Sequence, residues 1–469
     1  MMQPLITATL SLALGQAPDT TPAAVTPPEP PVQARLSFVA NDADFGASDS
    51  LTRLHAALDA RTPELTSGLS AEAGVSLFIN GGSQGLGFQD NSSFFRLRYR
   101  ADTWSREEGL ALTAYPLSST RLYMGYEYPV TWARQAYPVR EGGAEPALEL
   151  RLSRKRWSAF AAVKSARVIN NLELESERRL ALLAGAGVEL TPGLRVDVEA
   201  TTVDRGLAPA PAMVGEKLEV RARGLSGRVQ WNRGVAIGPS VDLSLYAGDP
   251  AFHERFFEPE SYPGGLAAAV SLEGSFMEQP LESPETGEPE DVNAAAAALG
   301  ARVKWNDLRL HGLAYYRTVN FIQVDVPGLP PFQALAEDSN PRPEVSFTMG
   351  ADYHLQELGL TPGLLLRATV PAATRFPLGG NLGGAPRLAV LQGPNQLSIL
   401  PDGVDREPVL TLKATVRWDL GRVAGVLAEL AYTRDPNRTS FEDDETGVAR
   451  PVLTDPHAVG GNLLLQARF

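Results

Sequence analysis

The sequence predicts an all-β fold, a transmembrane antiparallel β-barrel of about 18 strands within a range of roughly 16 to 20. Three observations predict it. From about residue 68 onward, segments alternate apolar and polar positions, a period of two that belongs to strands rather than helices. Most of these segments are near the roughly nine to eleven residues that a tilted strand needs to cross hydrocarbon, where soluble strands average about five or six. The connections come in two sizes, tight turns and long polar loops, and the two alternate through the last third of the chain. A sandwich also alternates a dry face with a wet one, so a soluble secreted β-sandwich is the competing fold.

Composition admits the barrel and closes off other classes. The 469 residues carry a net charge of −13 with no strong basic run, which argues against nucleic acid. With no cysteine, there are no disulfides, zinc–thiolate sites or cysteine nucleophiles. Outside the N-terminus no stretch approaches the roughly 18 apolar residues of a membrane helix.

In chain order, residues 1–17 read as a signal peptide. An uncharged apolar run from Leu5 to Leu14 is followed by the small residues Gly15 and Ala17, although no lysine or arginine precedes the run. Residues 18–32 form a Pro-rich linker too polar to pack. Residues 33–67 are an N-terminal segment with one short helix, "SDSLTRLHAALDAR" at 48–61. Leu51, Leu54 and Leu58 lie near one face there, and Ser48 or Ser50 caps the N-terminus. It is expected as a helix in a loop or as a small plug at the pore mouth.

Residues 68–469 make the barrel. "SSFFRLRYRADTW" puts Phe95, Leu97 and Tyr99 on one face and Arg96, Arg98 and Arg100 on the other. "TRLYMGYEY" repeats the pattern with Leu122, Met124, Tyr126 and Tyr128, and is expected as a strand. "LRVDVEATT" sets Leu194, Val196 and Val198 against Arg195, Asp197 and Glu199; "EKLEVRARG" sets Leu218, Val220 and Ala222 against Glu219, Arg221 and Arg223. Further segments include 240–248. Tight turns are expected at Pro192–Gly193, Asn306–Asp307 and Asp419–Gly421. Long loops are expected at 133–145, 278–292, 319–342, 372–407 and 434–456. Nineteen segments can be counted. Reading 216–233 as one long strand leaves eighteen, and adding 34–41 gives twenty.

The chain closes on "AVGGNLLLQARF", in which Val459, Gly461, Leu463, Leu465, Ala467 and Phe469 form one row. This stretch resembles the final strand of bacterial outer-membrane β-barrels, which ends in phenylalanine after alternating apolar positions. The resemblance implies an outer-membrane protein with short periplasmic turns and long extracellular loops. It also implies an assembly signal, carried by Leu463, Leu465 and Phe469, that the barrel-assembly machinery reads. Lipid and lipopolysaccharide would be its surroundings, and it would be a monomer or a homotrimer. Ala467 departs from the larger residue common at that position.

A barrel this wide encloses more space than side chains fill, so a charged inner face implies water and a pore. Arg96, Arg98, Arg100, Glu149, Arg151, Asp197, Glu199, Glu219, Arg221 and Arg223 are the expected pore-lining residues. Opposed rows of charge resemble the arrangement that sets up a transverse field in general porins. The expected function is a porin-like channel or transporter for small polar solutes. A non-conducting surface protein, whose loops bind a partner or lipopolysaccharide, is the alternative. No enzyme, cofactor or metal is expected. The five histidines lack ligand spacing, no hydrolase motif occurs, and the acidic loop 441–447 lacks calcium-loop spacing, which leaves a divalent ion there open.

Overall fold

The computed structural model describes residues 32–42, 50–82, 85–119, 122, 124–126, 130, 145–170, 175–209, 217–238, 262–323, 333–376, 387–391, 397–421, 423–445 and 447–469. The expected signal peptide, most of the expected linker and the expected segment 240–248 lie outside these residues. Within them the chain is a single closed antiparallel barrel of eighteen strands. There is no second sheet layer packed face to face, so the sandwich is excluded.

The strands follow chain order. They are β1 (Val32–Asp42), β2 (Ser50–Arg61), β3 (Leu69–Gly82) and β4, whose halves Gly85–Asp90 and Phe94–Tyr99 both pair with β3. Next come β5 (Gly109–Tyr115), β6 (Ala147–Ser153), β7 (Trp157–Asn170), β8 (Glu175–Thr191), β9 (Leu194–Pro209) and β10 (Lys217–Gly234). The circuit continues through β11 (Leu266–Glu282), β12 (Pro289–Trp305), β13 (Leu308–Arg317), β14 (Glu344–Tyr353) and β15 (Leu360–Val370). It ends with β16 (Val409–Leu420), β17 (Ala424–Arg434) and β18 (His457–Arg468).

Closure comes from β18 lying antiparallel to β1, with Phe38 opposite Leu465. The Phe469 N–H donates to the Ala34 carbonyl at 2.9 Å, and the Ala34 N–H donates back at 3.1 Å. In hydrocarbon an unpaired strand edge has no water to satisfy it, so a sheet that spans a membrane must close. The last residue of the chain supplies the last of these bonds.

Two expectations are corrected here. Residues 50–61 form β2 rather than a helix, paired with β1 along its whole length and with β3 from Thr52 to Arg61. Leu54 and Leu58 are four apart, a spacing that suits one helical face and one strand face equally. The need for two flanking partners decides between them. Residues 32–42 and 50–61 are therefore barrel wall, neither loop nor plug, and the described barrel begins at residue 32. The loop expected at 278–292 shrinks to residues 283–288, because β11 and β12 both run beyond the belt.

Outward positions are apolar and inward ones are polar or small, as the period of two requires. On β12, Leu299, Val303 and Trp305 are exposed outside, whereas Ala294, Ala296 and Ala298 are buried inside. Tyr99, Trp157, Trp231, Trp305, Tyr353, Trp418 and Phe469 ring the outside at the end that holds the termini. Tyr316 and Tyr432 mark the other end. Such girdles sit where amphipathic rings meet headgroups. The turns at the termini end are short, and Asn306 and Gly193 take the positive φ (52° and 85°) that tight hairpins demand. Residues 235–265 are the exception at that end.

Deleting residues 32–61 is expected to abolish the heat-modifiable mobility of the barrel on gels. A plug or loop in the same place would leave that mobility intact.

Candidate functional site

The inner wall divides the expected lumen residues into two groups. Arg96, Arg98 and Arg100 share the inward face of β4, opposite the exposed Phe95 and Tyr99. Arg96 donates to Glu72 at 3.1 Å and to Thr113 at 3.0 Å, and Arg100 reaches Glu64 at 3.3 Å. The hydrogen bonds of Arg98 go instead to the main-chain oxygens of Arg106 and Glu108. Neutral acceptors leave its charge less compensated than those of its neighbours. Glu149 and Arg151 form an inward pair at 2.7 Å. Asp197 holds Arg195 at 2.8 Å and Arg228 at 2.9 Å, and Glu199 lies on the same face.

Glu219, Arg221 and Arg223 do not line the lumen. They share the parity of Leu225, Val229 and Trp231, which are exposed on the outside, whereas Val220 and Ala222 are fully buried inside. The expectation that the charged face is the wet one fails because β10 extends past the hydrocarbon at the loop end. There the outside is polar, and the inside is covered by folded loops.

The most consequential of those loops follows β5. Of the strand expected at 120–128, the described residues Leu122 and Met124–Tyr126 form no strand and turn inward, with Gly125 at φ 102°. Leu122, Met124, Tyr126 and Val130 are almost completely buried. Met124 and Val130 rest, together with Phe321 from the short helix α1 (Val319–Gln323), on an inner wall of Ala181, Val203, Ala222, Ala294, Ala296 and Ala298. Small side chains let the loop approach the sheet closely, which accounts for alanine at 294, 296 and 298.

Charged wall residues tie this loop down through its backbone. Lys164 donates to the carbonyls of Ser119 (3.1 Å) and Leu122 (3.2 Å). Glu199 accepts the Gly125 N–H at 3.0 Å, and Glu273 accepts the Tyr126 N–H at 2.7 Å. The Arg228 guanidinium lies 4.0 Å from the centroid of the Tyr126 ring. Burial, with Glu199 and Asp197 adding to it, pushes the Tyr126 hydroxyl well above its usual range. Tyr126 therefore stays neutral at any ordinary pH, as its place between two carboxylates requires.

Two further groups narrow the barrel. At the termini end, Lys304 and Arg309 donate to the carbonyls of Ala236 and Ile237. Tyr262 stacks on His354 there with centroids 3.7 Å apart. At the loop end, Val319 and Ile322 pack with Ala372 and Leu391, so that the loops after β13 and β15 share one small core. Arg342 pairs with Asp405 at 2.6 Å, and Arg406 donates to the carbonyls of Pro343 and Pro371. Phe441, Glu442 and Asp443 lie in the first strand of a hairpin (Thr439–Asp443 with Ala449–Leu453), beyond which Asp444 pairs with Arg450 at 2.7 Å. Among the described residues no cluster has the makings of a metal site.

The one sequence signal that marked the infolded loop was Gly125. A glycine inside an otherwise strand-like alternation points to a bend or a close backbone approach.

No family model and no curated protein matches the chain. Solved barrels do. Pseudomonas aeruginosa OprD shares 8% identity over 93% of this chain and 94% of its own, with a TM-score of 0.48. The outer membrane protein OpdK of the same organism gives 7% identity, 93% and 98% coverage, and a TM-score of 0.48. OccK2 (OpdF), solved in complex with glucuronate, gives 9%, 93% and 96%, and 0.47. At these values the likeness carries no functional weight, and the barrel stands on its own strand pairing.

Two predictions follow from the anchors. Replacing Lys164 with Met removes two charge-assisted bonds, together about 2 kcal/mol. Amide exchange at residues 119–126 is expected to rise by roughly 30-fold, with gel mobility unchanged. The Arg342 side chain beside it, then the Arg406 N–H, hold the Asp405 carboxyl below its usual range. A depressed carboxyl contributes stability above its unfolded pKa of about 4, and that contribution is lost as pH falls through the folded value. Proteolytic nicking of loop 371–408 by an acid-active protease is expected to increase below about pH 4 in wild type. An Asp405→Asn variant is expected to show the same loose loop at every pH.

Proposed function

We propose that this chain is an outer-membrane channel for small polar solutes, exported by way of residues 1–17 and assembled through its terminal strand. The observation that carries this reading is a closed eighteen-strand barrel whose inner face keeps paired and part-paired charges along its wall. Buried charges in hydrocarbon are costly unless water or partners attend them. A lumen holding Arg96, Arg98, Arg100, Glu149, Arg151, Asp197 and Glu199 supplies both. Arg98, held by neutral oxygens, is the member of the ladder best placed to favour anions. The infolded residues Leu122, Met124 and Tyr126 occupy part of the lumen, with Arg228 against the Tyr126 ring.

A second reading has one observation in its favour. The infolded loop, the residues flanking 239–261 and the small core of loops at the outer end all narrow the same lumen. A non-conducting scaffold presenting its outer loops would look alike.

Planar-bilayer recording separates the two. Discrete single-channel steps are expected from the purified protein, with a reversal potential that moves toward cation preference in Arg98→Gln and further when Arg96 and Arg100 are also neutralised. Absence of steps, both in wild type and after Lys164→Met loosens the loop, would sink the channel reading. The oligomer, one barrel or three, is read from the same sample by its mass in detergent.

A further inference from the structure

The outward charges at the loop end of β8–β11 belong neither to the lumen nor to the hydrocarbon belt. On the outer face of β10, Trp231, Val229 and Leu225 are all at least 40% exposed. Beyond them the same face changes to Arg223, Arg221 and Glu219. On β11 the outer row runs through Leu266, Val270, Leu272 and Phe276, then reaches Glu278. On β8 it passes Leu182 and Leu180 to Arg178. Register ties the change on β10 to that on β11, while on β8 Leu182 stands opposite Thr202 and Arg178 lies four residues farther toward the loop end. Arg223 stands opposite both Glu278 on β11 and Thr202 on β9, and Arg221 stands opposite Asp204.

The height of the change can be estimated. From Leu266 to Glu278, at about 3.3 Å per residue and a tilt near 40°, the strand climbs roughly 30 Å. The apolar band of such barrels is about 25 Å tall. The arginines therefore lie in the headgroup layer of the leaflet at the loop end, above a surface of Leu182, Leu225 and Phe276. Arg178 and Arg223 have no ion-pair partner among the described residues. Arg221 has only Glu219, at 3.6 Å with both side chains more than half exposed, a weak pair that solvent screens.

We propose that Arg178, Arg221 and Arg223 form a binding site for the phosphate groups of an outer-leaflet lipid, whose acyl chains lie on the leucines and Phe276 below. Planar guanidiniums bind phosphate oxygens in pairs, and phosphate draws them away from a screened carboxylate. Apolar surface directly below and cations directly above fit a membrane lipid better than a free ion. The proposal rests on the membrane reading of the barrel.

The test is lipid retention. Wild type and the triple variant Arg178→Gln, Arg221→Gln, Arg223→Gln are reconstituted in phosphatidylcholine bilayers that contain lipopolysaccharide or its dephosphorylated form. Lipid bound per barrel is then counted by native mass spectrometry. Each arginine lost is expected to weaken retention of the phosphorylated lipid by about fivefold, with no effect on the dephosphorylated one. The lumen variant Arg98→Gln is expected to retain lipid as wild type does. Equal retention of the two lipids by wild type, or no loss in the triple variant, would overturn the proposal. Competition by inorganic phosphate alone at low concentration would overturn it too, by showing a free-ion site. Wild type lacking heat-modifiable mobility would instead defeat the membrane reading. Intact mobility with unchanged retention defeats only the lipid site.

Discussion

Everything in this molecule depends on the hydrogen-bonded seam between the first and last strands. A sheet in hydrocarbon pays heavily for an open edge, so the ladder from β1 to β18 has to return on itself. Phe469 and Ala34 exchange the final pair of main-chain bonds. Once the seam is closed, every strand has two partners, the parity of every side chain is fixed, and inside and outside become distinct. Residues 50–61 show the strength of this constraint. A stretch with a plausible helical face is held extended because the circuit needs a strand there.

Closure creates a second problem, since eighteen strands enclose a wider space than the wall's own side chains fill. The chain solves it by folding connections into the barrel. The loop after β5 lies against alanines, and its main chain is held by Lys164, Glu199 and Glu273. Charged side chains suit this task because a backbone segment inside a barrel carries N–H and C=O groups that need partners. The wall's charges therefore do two things at once. They satisfy the loop, and they give the passage beside it an electrostatic character.

The wall was largely readable from the chain, and the constriction was not. Arg96, Arg98, Arg100, Glu149, Arg151, Asp197 and Glu199 follow from alternation within the membrane-spanning part of each strand, where lipid forces one face to be apolar. Glu219, Arg221 and Arg223 were assigned to the wrong face because alternation reports polarity, not direction. Above the hydrocarbon the outside is the polar side. Leu122, Met124 and Tyr126 mislead for a related reason. A segment lying on an apolar inner wall buries alternate residues much as a strand in lipid does, and only Gly125 betrayed the difference.

By itself, the sequence determined the class of fold, the approximate number of strands, the placement of tight turns and the strand that ends at the final phenylalanine. Each of these follows from local periodicity and from turn chemistry acting over a few residues. Tertiary structure alone decided that residues 50–61 are wall, that Leu122, Met124, Tyr126 and Val130 enter the lumen, and that Glu219, Arg221 and Arg223 face outward. Those outcomes depend on partners far away in the chain. Main-chain pairing and the height of a residue relative to the membrane are properties of the closed barrel, and no single segment contains them.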